Sequence, residues 1–497
     1  MPESATQAEQ LVEEQTGVMD FSQLLEEKFE PSSETKSEIE SAIHTLAGQA
    51  LQNTNLIKED SFETIERLIA SIDKKMSEQM SLVLHNEEFQ ELESKWRGLH
   101  HLVNNTETST KLKIRFLNIS KKETYKTLMR YKGTKWDQSP IFKAIYENEF
   151  GVAGGSPYSC LIGDFYFDHT PPDVNFLSEM SHIAAAAHAP FISAVQPEIV
   201  NMKSWQEINN PRDIAKIFDA PNYATWHSFR DSPDSQYVCL TMPRFLGRLP
   251  YGEKTNPTDA FGFEEDVDGT DHSSYSWVNA SYAMATNIHR SFSLYGWASQ
   301  IAGLESGGIV DDLPVHTFDT SDGGIDAKCP TEVSITDRRE NEFATAGITS
   351  LVHYKGTDYG VFFKASSLRK PVQYDDPEAT SNAKLATNMS YMLATSRFAH
   401  YLKHIVRNKL GSSVTKDRLQ KDLQRWINSY VEPSPDTASE RGLAERPLSA
   451  AEVTIEEDEE TPGYYKARFY LKPHYKLEGM TIGLSLVSRL PNEREGN

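Results

Sequence analysis

Apolar residues recur at helical spacing through residues 39–103 and then, at Leu112, change to a period of two, so the fold has to combine a helical region with a sheet. The helical series runs Ile39, Ile43, Leu46, Ala50, then Ile65, Leu68, Ile72, Met76, then Phe89, Leu92, Trp96, Leu99, Val103. From Leu112, the residues Leu112, Ile114 and Phe116 alternate with Lys111, Lys113 and Arg115, which predicts a strand with one buried face. Period two returns at the end of the chain. Tyr465, Ala467, Phe469 and Leu471 alternate with polar or aromatic neighbours, and so do Met480, Ile482, Leu484 and Leu486. Two such strands joined through residues 473–479 read as a β-hairpin. A lone hairpin is marginal in water, so these strands are expected to complete a larger sheet, and a neighbour's strand in that sheet would make them an assembly device.

Between these ends, strands are predicted at 158–164, 237–242, 347–354 and 359–363, and helices at 174–189, 278–302 and 379–408. The expected class is mixed α/β (α+β), with a helical N-terminal region and a C-terminal β-hairpin contributing to an inter-subunit sheet. Five regions follow: a flexible arm with a short helix (1–31), an acidic helical region (32–110), a mixed α/β core (111–431), an acidic proline-containing linker (432–463) and the terminal hairpin (464–497). In the arm, Asp20 can cap a helix in which Phe21, Leu24, Leu25 and Phe29 form one apolar stripe that Pro31 ends. A helix this short is not stable alone in water, so the stripe must dock on something.

The charge is unevenly placed. Of a net −22, residues 1–110 contribute 22 acids against 8 bases and residues 432–460 contribute 10 against 2, while the middle is nearly neutral. Acidic flanks repel nucleic acid and suit a basic partner surface, so no nucleic-acid role is expected. Three cysteines, Cys160, Cys239 and Cys329, are far apart and odd in number, which argues for reduced thiols and against a disulfide framework or zinc cage. No charged-then-apolar leader opens the sequence, and the most apolar run (183–195) is interrupted by His188 and Pro190, so a soluble cytoplasmic protein without membrane insertion is expected.

Several local patterns imitate chemical sites. Residues 247–255, GRLPYGEKT, nearly spell a phosphate-binding loop, but Glu253 sits where lysine belongs, Pro250 lacks an N–H, and Asn256-Pro257 follows where a helix should begin. Asp266, Asp268 and Gly269 are spaced like part of an EF-hand loop, with the glycine too early and no closing glutamate. Asp164, Asp168, His169, His182 and His188 cluster in sequence, and Glu179 with His182 has the Glu-x-x-His spacing of di-iron bundles without the second copy those sites need. A turn and helix entry around Pro171-Pro172, with Asp173 as cap, is the structural reading of that stretch. The enzymatic alternative is a metal-dependent hydrolase built on Asp164, Asp168, His169 and His182. Helix-spaced Leu419, Leu423, Trp426, Ile427 and Tyr430, with basic neighbours Lys416, Arg418, Lys421 and Arg425, suit an interface.

The blocks LVNNTET, KGTKWDQSPIFKAIY, GDFYFDHTPPDV, AAAAHAPF, NPRDIAKIF, MPRFLGRLPYG, CPTEVSITDRRE, FAHYLK, PGYYKARFYLKPHY and LVSRLP occur in one order over residues 99–490. Together they resemble TssC (VipB/ImpC-like), the large subunit family of the type VI secretion contractile sheath. The resemblance implies a structural, non-enzymatic bacterial protein without cofactor or metal. It would pair with a TssB-like small subunit, polymerise with itself around an Hcp tube on a baseplate, and contract to drive effector translocation. It also implies that the ClpV AAA+ unfoldase recognises the N-terminal helix, here Phe21, Leu24, Leu25 and Phe29. The terminal strands, carrying Tyr465, Ala467, Phe469, Leu471, Met480, Ile482, Leu484 and Leu486, match the family's segment of interlocking strands.

Overall fold

The computed structural model describes residues 61–474, apart from 211–212, 321, 410–414 and 458–464. The Phe21 to Phe29 stripe and the strand expected at Met480 to Leu486 therefore lie outside the described residues. The chain divides into two units that are not contiguous in sequence: residues 1–93, 248–276 and 314–328 form one, and residues 94–247, 277–313 and 329–497 the other. The single 111–431 core read from the sequence is thus divided, because two long insertions leave the larger unit and join the residues of the helical N-terminal region.

In the smaller unit, helix α1 (Ser61–Leu84) carries Ser77 and Ser81, whose hydroxyls accept the backbone N–H groups of Glu264 and Asp266 at 3.3 and 3.0 Å. A short antiparallel ribbon, Thr317–Asp319 with Ile325–Ala327, belongs to the same unit. Helix α2 (Glu87–Asn104) begins with Glu87 and Glu88 in its first turn, where carboxylates favour the exposed N–H groups.

The larger unit is built on a mixed sheet. Strands β1 (Leu161–Phe167), β2 (Phe191–Val195), β3 (Val238–Met242) and β4 (Ile348–His353) run parallel in that order. Strand β5 (Gly360–Phe362) then pairs antiparallel with β4 and, on its other side, with the short strand Ile309–Val310. Strands β2 and β3 are buried along their whole length because apolar layers cover both faces. Phe191, Val195, Val238, Leu240, Met242 and Ile348 face one layer with Phe176, Ile183, Trp205 and Trp226, whereas Ile192, Cys239 and Leu351 face another with Val278, Ala283 and Met284.

Helix α3 (Pro171–Ala187) crosses from β1 to β2. It starts with proline in its first turn and ends with His188 in the left-handed conformation at φ 51°. Helix α4 (Ala280–Tyr295) is capped by Asn279, whose side chain accepts the Ser281 N–H at 2.9 Å, and it ends at Tyr295, ahead of Gly296 (φ 76°) and seven residues before the end of the span expected from periodicity. The close approach of Gly98 in α2 to the Tyr282 ring leaves no room for a Cβ, which would lie 2.3 Å from the ring. Residues 112–114 keep their alternation, with Leu112 and Ile114 half-buried between exposed neighbours, but Phe116 is exposed and the segment joins no ladder among the described residues. Their periodicity records one packed side, not strand pairing. The long helix expected at 379–408 is two helices, Pro377–Leu385 and α5 (Met389–Lys409), because the Asn388 backbone bridges to Ser366.

Candidate interaction site at the C-terminal sheet

The region read from sequence as an acidic linker contains a ten-residue strand, β6 (Leu448–Glu457). It pairs antiparallel with β7 (Tyr465–Pro473) from Leu448↔Pro473 to Glu457↔Tyr465, so the partner of β7 within the described residues lies upstream of it, and not at the predicted 480–486. The register explains both halves of the pairing. Ala451, Val453 and Ile455 stand opposite Leu471, Phe469 and Ala467 on one face. On the other face, Thr454 stands opposite Arg468 and Glu456 opposite Lys466, with Arg468 and Glu456 also joined by a 3.5 Å ion pair. Acids that looked like a solvated linker are one side of a charge-matched ribbon.

The apolar face has a receiver. Val453, Ile455, Phe469 and Leu471 join a cluster with Trp297, Phe398 and Leu402 and with Leu423 and Ile427 of helix α6 (Lys416–Asn428). The apolar members of the 419–430 stripe are therefore core. Leu419, Trp426 and Tyr430 pack there too, while Lys416, Arg418 and Arg425 are exposed. The Tyr391 hydroxyl donates to the Leu471 carbonyl at 3.3 Å, and the Gln424 side chain accepts the Val453 N–H at 2.8 Å. Among the described residues β7 pairs on one side only. Of the predicted hairpin residues, Phe469 and Leu471 pack inward and Ala467 is exposed.

The sequence-clustered carboxylates and histidines take separate partners. Asp168 accepts from the Thr170 N–H (2.7 Å) and from Gln196 (3.1 Å), closing the turn before α3. Thr170, not Asp173, is the cap residue, and Asp173 in the first turn accepts the Asp168 N–H at 3.0 Å. His169 stacks on Tyr223 at 4.2 Å, His182 pairs with Asp234 at 2.7 Å, and Asp164 accepts from Tyr282 at 3.3 Å. No group of three metal-ligating side chains forms among the described residues. In the near phosphate loop, Arg248 is buried between Glu93 (2.6 Å) and Glu265 (2.6 Å), and Glu264 accepts the Glu253 N–H that a phosphate would need. In the calcium-like loop, Asp268 accepts the N–H groups of Thr270 and Asp271, and Gly269 (φ 83°) lies against the Phe318 ring. The aspartate carboxyl is held below its usual range by these bonds.

Residues 66–369 match the family described as EvpB/VC_A0108, tail sheath N-terminal domain, and residues 378–490 match EvpB/VC_A0108, tail sheath gpW/gp25-like domain. The type VI secretion system sheath protein TssC1 of Pseudomonas aeruginosa is 56% identical over 487 residues, 98% of this chain and 97% of that protein. The chain belongs to the TssC/VipB family of sheath proteins. Two solved structures are similar at much lower identity. The anti-feeding prophage baseplate gives 10% identity and a TM-score of 0.37 over 76% of this chain and 83% of that one; the contracted anti-feeding prophage helical sheath gives 11% and 0.32 over 63% and 66%. The second match of the TssC/VipB family begins at the helix Pro377–Leu385 and contains both β6 and β7. The phosphate-loop imitation at Gly247 lies inside the first. No helix among the described residues is long and apolar enough to cross a membrane.

Proposed function

We propose that this chain is the large, non-enzymatic subunit of a type VI secretion sheath in the bacterial cytoplasm. In this reading it pairs with a TssB-like small subunit, polymerises on a baseplate around an Hcp tube, and contracts to drive effectors outward. The full-length 56% identity to a type VI sheath protein carries the reading. The β6–β7 ribbon supports it mechanically, since a strand paired on one side among the described residues offers backbone donors and acceptors for a further strand, and a mesh of such bonds keeps rigid bodies joined while they rotate. Met480 to Leu486 and its neighbour-supplied partners would complete that sheet. Phe21, Leu24, Leu25 and Phe29 would be the ClpV recognition helix used in recycling.

Co-expression with the small subunit tests the reading. Long hollow tubules in negative-stain microscopy are expected, and only monomers or small closed oligomers would count against it. Leu24→Asp with Leu25→Asp should leave tubules intact while abolishing unfoldase binding, and unchanged binding would remove this helix as the recognition element.

A further inference from the structure

Helix α5 is two-faced. Phe398 and Leu402 look into the cluster beneath the C-terminal ribbon, whereas Arg397, His400, Lys403, His404 and Arg407 recur at helical spacing on the opposite side. That second side lines a pocket of about 160 Å³ closed by Glu149, Phe150, Val152, Gly155 and Pro157. Its three permanent cations have only neutral partners among the described residues. Lys403 lies 3.5 Å from the Phe150 ring centre and donates to the Tyr146 hydroxyl at 3.3 Å. Arg407 donates to the carbonyls of Phe150, Gly151 and Val152. Arg397 stacks 4.6 Å from Tyr401, and its Nε is buried with no acceptor. The pocket's carboxylate, Glu149, is already taken by Arg115 and by the Ser156 N–H. His400 is 4% exposed, gives Nε2 to the Ala187 carbonyl at 2.9 Å, and leaves Nδ1 unpartnered.

Three cations around a pocket with no free counter-ion form a site for carboxylates. We infer that this pocket receives the acidic segment of a second copy of the chain, through Asp458, Glu459 and Glu460. The inference rests on the sheath reading for the presence of adjacent copies, and on charge complementarity for the occupant, since residues 456–460 are five consecutive acids. Within one chain the strands that flank residues 458–464 end at the Glu457↔Tyr465 pair and pack on the other side of α5, across a helix about 10 Å thick. Each copy thus carries the β6–β7 ribbon and the basic socket on different sides of α5, which suits head-to-tail assembly.

A labelled peptide of residues 454–462, titrated into the full-length chain at low salt and followed by fluorescence anisotropy, tests the socket. Saturable binding is expected, at least tenfold weaker in Lys403→Glu and in His404→Glu, unchanged in Arg425→Glu, and absent for a peptide with glutamine at its acids. His404 is exposed, so its variant keeps the fold if Lys403→Glu does not. Absence of saturable binding, binding by both socket variants as tight as by the unsubstituted chain, or displacement by a peptide from the acidic residues 1–30 at lower concentration would overturn the assignment. This readout needs no polymer, so it fails or succeeds apart from tubule formation. A dilute chain carrying Glu459→Cys and His404→Cys should form the bridge only between molecules; closure within one chain overturns the second copy as the source.

Discussion

Arg248 shows how a residue within a near-motif can be wholly structural. Its guanidinium is charged and buried between two carboxylates, with the Tyr251 ring 4.4 Å away, so removing it takes the guanidinium from both Glu93 and Glu265. Arg248→Met should lower stability by about 3–5 kcal/mol in urea unfolding, because the buried carboxylates lose the cation that compensates them. Loss of less than about 1 kcal/mol would show that the glutamates find water or other donors. Burial also pushes His101, His289 and His400 down to about 4. Their folded-state values lie below the unfolded value, so the unfolded chain binds more protons as pH falls below about 6.5. Stability should therefore be constant for these groups above that pH and decline progressively toward pH 4, by on the order of a few kcal/mol in sum. Thermal melts between pH 7.5 and 4.5 check the direction. The cysteines separate similarly. Burial pushes Cys160 and Cys239 up to about 12, while at Cys329 burial, the largest single effect, is outweighed by the hydrogen bonds from His353 and Thr331 and the His353 charge together, which bring the thiol below its usual range. Iodoacetamide at neutral pH, followed by peptide mass spectrometry, should label Cys329 first. The sequence could place Arg248 in a near-motif but not bury it, since its burial depends on Glu93 and Glu265, which are 172 residues apart.

At the scale of elements, β3 was legible to within a residue of the predicted 237–242, whereas β2 was missed, because its apolar run follows the helix of 171–187 so closely that no strand was read there. The helix at Pro171–Ala187 was legible from its prolines and small residues. Strand β6 was not. It offers only Leu448, Val453 and Ile455 as strong apolar residues, five and two positions apart, and Glu456 gains meaning only beside Lys466 and Arg468 of β7. The basic stripe on α5 was not singled out from the sequence, although Arg397, His400, His404 and Arg407 recur at helical spacing, because its significance depends on the facing residues 149–157. Val453→Asp should detach the ribbon from its cluster, exposing residues 448–473 to limited proteolysis while leaving the main sheet's amide-exchange protection unchanged. Equal protease resistance would mean that the ribbon is held by backbone pairing alone. Ile482→Pro removes a ladder donor and should block polymerisation without preventing small-subunit pairing.

For the whole molecule, the mixed α/β class held, but the strand announced by the period change at residue 112 is not one among the described residues, and periodicity did not reveal the non-contiguous division. Residues 248–276 and 314–328 leave the larger unit and return to it, and loops that cross between units carry no periodic signal. The family blocks, spread over both matched segments, supplied what periodicity could not. The central claim is that this chain polymerises into a sheath whose subunits are joined through the C-terminal sheet. Helical reconstruction by cryo-electron microscopy of the co-expressed tubules, at a resolution that traces strands, tests it most directly. The account predicts β6 and β7 in one sheet with at least one strand from a different subunit. Tubules in which that sheet is completed within a single chain, or no tubules at all, would contradict it.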